Sequence, residues 1–107
     1  MIGTRFVDHL GRRIRLTTER RRHILEHREM KEWMDKIGDV LAHPDRVVRS
    51  RSDPRSELFY VWKTATRVGP KYLCVVVIVE PKNAFVVTAY LTDRVKKGEV
   101  LWPKRDA

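Results

Sequence analysis

Two histidines, His23 and His27, stand four residues apart in RRHILEH, the stretch from Arg21 to His27. Side chains at i and i+4 share a helix face, so a helix here points both imidazoles the same way. Imidazole titrates near neutral pH, so such a pair on a cationic helix suits proton transfer or metal binding. The last five residues also spell H-x-x-E-H, the pattern of inverted zincins, with Glu26 placed as a base. Zinc would need a third ligand, for which Glu57, Glu80 and Glu99 are the candidates beyond the helices. Metal-free acid–base chemistry, a zinc hydrolase and surface histidines without a role are the three readings of the pair. Zinc ranks last, because the pattern arises easily in a charge-rich helix and a positive surface repels a dication.

The elements that must hold these residues can be read along the chain. Arg5 to Leu16 reads as two short strands around a turn at Leu10-Gly11, a hairpin. Thr17 or Thr18 then caps a helix, with Glu19 at its positive end. TTERRRHILEHREM contains no glycine, proline or valine and is helical by composition. Trp33, Met34, Ile37, Val40 and Leu41 recur at helical spacing, a second amphipathic stripe, and Pro44 ends it.

After Pro44 the period switches to two. RVVRSR, from Arg46 to Arg51, reads as an edge strand, open in principle to pairing with another chain. LFYVWKTAT, from Leu58 to Thr66, is a strand, and Gly69-Pro70 turns the chain. KYLCVVVIV, from Lys71 to Val79, is apolar on both faces and reads as the central strand. Pro81-Lys82-Asn83 makes a tight turn, with Asn83 tolerant of a left-handed conformation, and AFVVTAYL, Ala84 to Leu91, returns antiparallel. The basic tail from Thr92 carries an apolar patch at Val100, Leu101 and Trp102 that packs back. The expected fold is α+β, one domain over residues 1–107, with a short N-terminal hairpin and helices packed on a four-stranded antiparallel sheet.

Composition narrows the partners. Lys and Arg number 23 against 14 Asp and Glu, a net charge of +9 that attracts polyanions, most often nucleic acid. The same charge also keeps a small protein soluble. The single cysteine, Cys74, excludes an internal disulfide and a cysteine-based zinc cluster, and its apolar run makes it a core residue. No stretch is long enough to span a bilayer and none reads as a signal peptide, so the expected location is cytoplasmic.

Strand alternation assigns faces. Phe85, Val87, Ala89 and Leu91 are expected under the helices, with Val86, Thr88 and Tyr90 opposite. Tyr60 and Trp62 share a face, and Lys63 points to the other side. The simplest assembly gathers Tyr60, Trp62, Thr88 and Tyr90 on an open sheet face. Aromatics among hydroxyls, rimmed by arginines, make a platform for stacked bases and phosphates. Aromatic residues are also simply good strand formers on a half-buried surface.

The order GRRIRLTTERRRHILEHREM, IGDVLAHPDRVV, ELFYVWK, YLCVVVIV and FVVTAYLTDRVKKG, from about Gly11 to Gly98, resembles the phage branch of the barnase–EndoU–colicin–RelE-like nucleases. Its most specific pieces are the T-x-E-R-x-x-H-I-L-x-H helix start, L-x-x-P-D at Leu41 to Asp45, and TAY at Thr88 to Tyr90. The resemblance implies a small α+β fold and metal-independent RNA cleavage on a curved antiparallel sheet. It matches His23 and His27 to the helix histidines and Thr88 and Tyr90 to a last-strand site. Tyr60 and Lys63 fall where the family places aromatic and basic residues. Many relatives carry proline after the second histidine, where this chain has Arg28.

The expected chemistry is that of an endoribonuclease, in a toxin or effector module with an immunity partner, and needs no cofactor. His23 takes the proton of the ribose 2′-hydroxyl, and His27 or Tyr90 protonates the leaving 5′-oxygen. Thr88 and arginines hold the phosphate. Tyr60 completes the catalytic set, while Lys63, Arg20, Arg49 and Trp62 bind substrate. The alternative is a nucleic-acid-binding or protein-interaction module with no catalysis, which needs the charge and the aromatic face but not the histidines.

Overall fold

The run KYLCVVVIVE, the most apolar in the chain, takes the middle place in a seven-stranded sheet. The computed structural model describes residues 3–104; the rest of the expected domain, at either end, lies outside them. The strands are β1 (Thr4–Val7), β2 (Arg13–Leu16), β3 (Arg46–Ser50), β4 (Ser56–Lys63), β5 (Lys71–Glu80), β6 (Asn83–Thr92) and β7 (Gly98–Trp102). Their order across the sheet is β1-β2-β6-β5-β4-β3-β7. Two helices, α1 (Thr18–Ile24) and α2 (Ile37–Ala42), lie between β2 and β3 in the chain.

The fold is α+β, but its sheet is wider than expected. The antiparallel meander β3 to β6 forms the middle four strands, and each end gains a partner. The hairpin does not sit apart: β2 lies beside β6 in parallel, with Arg15 opposite Phe85. The tail supplies β7, antiparallel to β3. That pairing corrects the reading of β3 as an edge, because its open side is filled by the same chain. Close approach is possible because Gly98 lacks a side chain: a Cβ there would lie 2.2 Å from the Arg49 carbonyl oxygen.

Helix α1 starts as expected, with the Thr17 hydroxyl accepting from the Arg20 amide. It stops at Ile24 instead of running through Met30, and 3₁₀ turns at Arg28–Glu32 and Met34–Lys36 follow. Composition favours a longer helix, but burial does not. Ile24 and Met30 are both fully buried. On a continuous helix, six residues at about 100° each would leave them roughly 120° apart. The bend lets both side chains reach one core.

That core lies between the helices and one face of the sheet. It joins Ile24, Met30, Met34, Ile37, Val40 and Leu41 to Val47, Phe59, Leu73, Val75, Val77 and Val86, among others. The opposite, helix-free face carries a smaller cluster of Val48, Leu58, Tyr60 and Cys74, with Tyr72, Val76, Tyr90 and Val95 against it.

Strict alternation fails in β6, and the pairing of β7 with β3 carries a second irregularity at Val47 and Val48. Val76 pairs with Thr88 but Val77 pairs with Val86, so Val87 is an extra residue in a bulge. Val86 therefore turns to the helices, while Ala89 and Leu91 beyond the bulge keep their expected side. The turn between β5 and β6 also differs from expectation. Glu80 pairs directly with Asn83, leaving Pro81 and Lys82 as the turn, and no described residue other than Gly11 and Gly69 has a positive φ. Asn83 is thus an ordinary first strand residue.

A buried polar network fixes the hairpin to the sheet. The Asp8 carboxylate accepts from the Leu10 and Arg12 amides at 2.9 and 2.8 Å and from Arg12 Nε at 2.7 Å. The other arm of Arg12 reaches both Glu57 carboxylate oxygens at 2.7 and 3.1 Å. Beside it His9, with its side chain only 5% exposed, packs edge-on against Phe59 and Trp102. Its Nδ1 is buried with no hydrogen-bond partner.

Burial holds the His9 imidazole below its ordinary pKa, with Asp8 pulling the other way. The unfolded chain therefore binds a proton at His9 more readily than the folded one. Stability on this account is present above the unfolded value near 6.5 and falls as pH drops below it. The slope from one group is at most about 1.4 kcal/mol per pH unit. Thermal unfolding from pH 7 to 5 should show a fall in midpoint that is shallower in His9→Phe. An equal fall in both proteins would assign the pH dependence elsewhere.

Candidate functional site

The nine expected site residues do not converge on one cleft; the sheet divides them. His23, His27 and Arg20 belong to the helix layer. Lys63 and Arg49 lie on the helix-facing side by strand alternation. Tyr60, Trp62, Thr88 and Tyr90 lie on the helix-free face. The expected cleft with the histidines as one wall and Thr88 and Tyr90 as the other is therefore not formed.

The histidine pair is nevertheless close. His27 follows the end of α1 with an extended backbone (φ −78°, ψ 106°), so the two residues do not occupy one unbroken helix as expected. Glu26 and His27 donate to the His23 and Ile24 carbonyls, tightening the chain as it leaves the helix. The rings end 6.4 Å apart, nearly perpendicular. Glu26 Oε1 lies 3.3 Å from His23 Nδ1, with both side chains well exposed. Arg20 lies one turn before His23 on the same side of α1.

The zinc reading loses its third ligand to arginines. Glu57 binds Arg12, Glu80 binds Arg55 and Glu99 binds Arg49. Among the described residues no three His, Cys, Asp or Glu side chains gather at metal-binding distance. Two expected substrate-binding cations are also engaged elsewhere. Arg49 is paired with Glu99 at 3.0 Å, and Lys63 lies over the Trp33 ring, 5.7 Å from its centroid.

On the helix-free face, cross-strand register lays the residues out in rows. Tyr60, Cys74 and Tyr90 form one row, Trp62, Tyr72 and Thr92 the next, and Leu58, Val76 and Thr88 a third. Trp62, 43% exposed, meets Tyr72 edge-on at 4.8 Å, and Tyr72 meets Tyr60 at 5.9 Å. This face is less open than expected, because the segment after β6 folds over part of it. The Lys96 amide donates to the Tyr60 hydroxyl at 3.1 Å, and Tyr60 is fully buried. Burial pushes the Tyr60 phenol up to about 12, the Cys74 thiol up to about 11, and Tyr90 upward as well. Groups held protonated in this way are poor bases and weak acids at neutral pH. The accessible part of the face is Trp62, Tyr72, Thr88, Tyr90 and Phe85, a surface better suited to stacking than to proton transfer.

Sequence reasoning missed four cations beside that surface. Arg13 and Arg15 of β2 alternate with buried Ile14 and Leu16, so both point to the helix-free face. Arg5 of β1 is directly opposite Arg15. Together with Lys82 they line a shallow cleft. The alternation in RIRL held the signal, but the parallel β2–β6 contact that brings it alongside Phe85 did not show in the pattern.

Searches against models of protein families, curated proteins and solved structures found no match for this chain. No helix among the described residues is long and apolar enough to cross a membrane.

Proposed function

We propose that the protein is a metal-independent endoribonuclease whose acid–base pair is His23 and His27. The observation that carries the reading is the pairing itself: two exposed imidazoles 6.4 Å apart, one of them 3.3 Å from a Glu26 carboxylate oxygen. His23 Nε2 takes the proton from a ribose 2′-hydroxyl as that oxygen bonds to the adjacent phosphorus. The bond from phosphorus to the 5′-oxygen breaks, and the leaving oxygen takes a proton from His27. The products are a 2′,3′-cyclic phosphate and a 5′-hydroxyl. Glu26 steadies the imidazolium that forms on His23, and Arg20 is placed to neutralise phosphate charge. Thr88, Tyr90 and Trp62, across the sheet, contact RNA in this scheme without taking part in the bond changes. Incubating the purified protein with RNA in excess EDTA tests the reading. Cleavage to cyclic-phosphate ends supports it, whereas cleavage that chelator abolishes sinks it.

A second reading, RNA binding without cleavage, is favoured by the helix-free face. Its exposed aromatics are separated from any histidine and suit the stacking of unpaired bases. Retention of intact RNA in the same assay would select this reading.

A further inference from the structure

We infer that the cleft between the β1–β2 hairpin and the β5–β6 turn is a phosphate-binding site for the backbone of single-stranded RNA. The inference rests on RNA being the ligand, and extends it to a place and a set of residues outside the histidine pair.

Register makes the case. Arg5 lies directly across from Arg15 on an antiparallel pair, with Arg13 on the same strand face. Like charges directly opposite are unfavourable, and proteins commonly relieve them with a carboxylate. Here none does so: among the described residues Arg5, Arg13, Arg15 and Lys82 make no ion pair. The one side-chain partner is Asn83, whose Oδ1 accepts from Arg15 Nη2 at 2.6 Å and fixes that guanidinium. Arg12 and Arg55, by comparison, are each matched to acids. Four cations thus line one cleft with no ion-pair partner among the described residues.

The chemistry that fits is a run of phosphodiesters. Guanidinium forks bind phosphate oxygens two at a time, and Lys82 adds a point charge at the rim. A single-stranded backbone also fits the setting. Arg15 is opposite Phe85 on β6, and Thr88 and Tyr90 follow further along the same strand. Phosphates held in the cleft would therefore leave the next bases over the exposed aromatics. Duplex RNA keeps its bases stacked inside and could not use that surface.

The test measures affinity for a labelled 2′-O-methyl oligouridylate, which cannot be cut by 2′-oxygen attack, over a range of salt. Arg5→Gln/Arg13→Gln/Lys82→Gln is compared with wild type. Three lost phosphate contacts should lower the slope of log affinity against log salt by about 2, at about 0.7 per contact. Affinity at low salt should fall on the order of tenfold or more. The melting midpoint should hold or rise, since the substitutions relieve repulsion between exposed groups. Should the triple variant melt early, Arg13→Gln alone carries the test, with an expected slope change of about 0.7. An unchanged slope in a folded variant overturns the cleft assignment and leaves RNA binding intact. Failure of the wild type to bind the oligonucleotide overturns the RNA reading and the inference with it.

Discussion

Replacing Arg12 by alanine is expected to destabilise the fold by about 3 kcal/mol, the low end for breaking a buried ion pair. The low end applies because the Arg12 side chain is 28% exposed and water can reach it. Its partners cannot follow it into solvent: the Asp8 side chain is fully buried and that of Glu57 is only 10% exposed. Each would be left as a buried carboxylate with its main cation gone. For a domain of this size the thermal midpoint should fall by more than about 10 °C. The companion variant Arg12→Leu/Glu57→Leu separates charge from packing. Removing the Arg12–Glu57 pair together should recover much of the loss, because it takes the stranded Glu57 charge with it. If Arg12→Ala melts within about 2 °C of wild type, the network contributes far less than its burial implies.

The second large effect concerns chemistry. His23→Ala/His27→Ala should lower RNA cleavage in EDTA by at least about 10²-fold, and by as much as 10⁴-fold if both proton transfers are lost. Stability should hardly change, because both side chains are exposed and only Glu26 engages one of them. Glu26→Gln should fall between the double variant and wild type, since it keeps the ring contact but removes the charge that supports an imidazolium. Full activity in the double variant would assign cleavage to other residues. Rate measurements over pH on wild type and each single variant would separate base from acid.

The middle of the fold was legible because its signal is local. Alternation in LFYVWK and the unbroken apolar run from Leu73 to Val79 specify strands whatever lies around them, and they became β4 and β5. The missed features depend on contacts distant in sequence. Val87 looks like any strand residue, and only its pairing with β5 shows it as a bulge. The helix ends at Ile24 for the sake of a core that Met30 must also reach, although every residue between them tolerates helix. The parallel β2–β6 contact and the β3–β7 pairing widened the sheet from four strands to seven.

The same distance explains why the candidate residues were grouped into one cleft. His23 and His27 were identified by spacing and remain neighbours in space. Thr88, Tyr90 and Trp62 were assigned correctly to one sheet face. The error lay in joining the two groups, because spacing says which face a residue takes within its element but not which side of the sheet that element covers. Lys63, whose alternation already opposed Tyr60, was the one residue whose own strand gave warning.

The seam between β2 and β6 has a consequence for how the protein is made. Arg15 cannot meet Phe85 until every residue between them has been synthesised, which at about 5–20 residues per second takes several seconds. During that interval the hairpin and α1 have emerged, but Ile14, Leu16 and Ile24 have no sheet to cover them. Contacts so far apart in the chain also form slowly once it is complete. The arginine strands and the histidine helix are therefore made well before the strand that β2 must join. A growing chain is basic through α1, yet the arginines of β2 have no β6 beside them until the penultimate strand arrives.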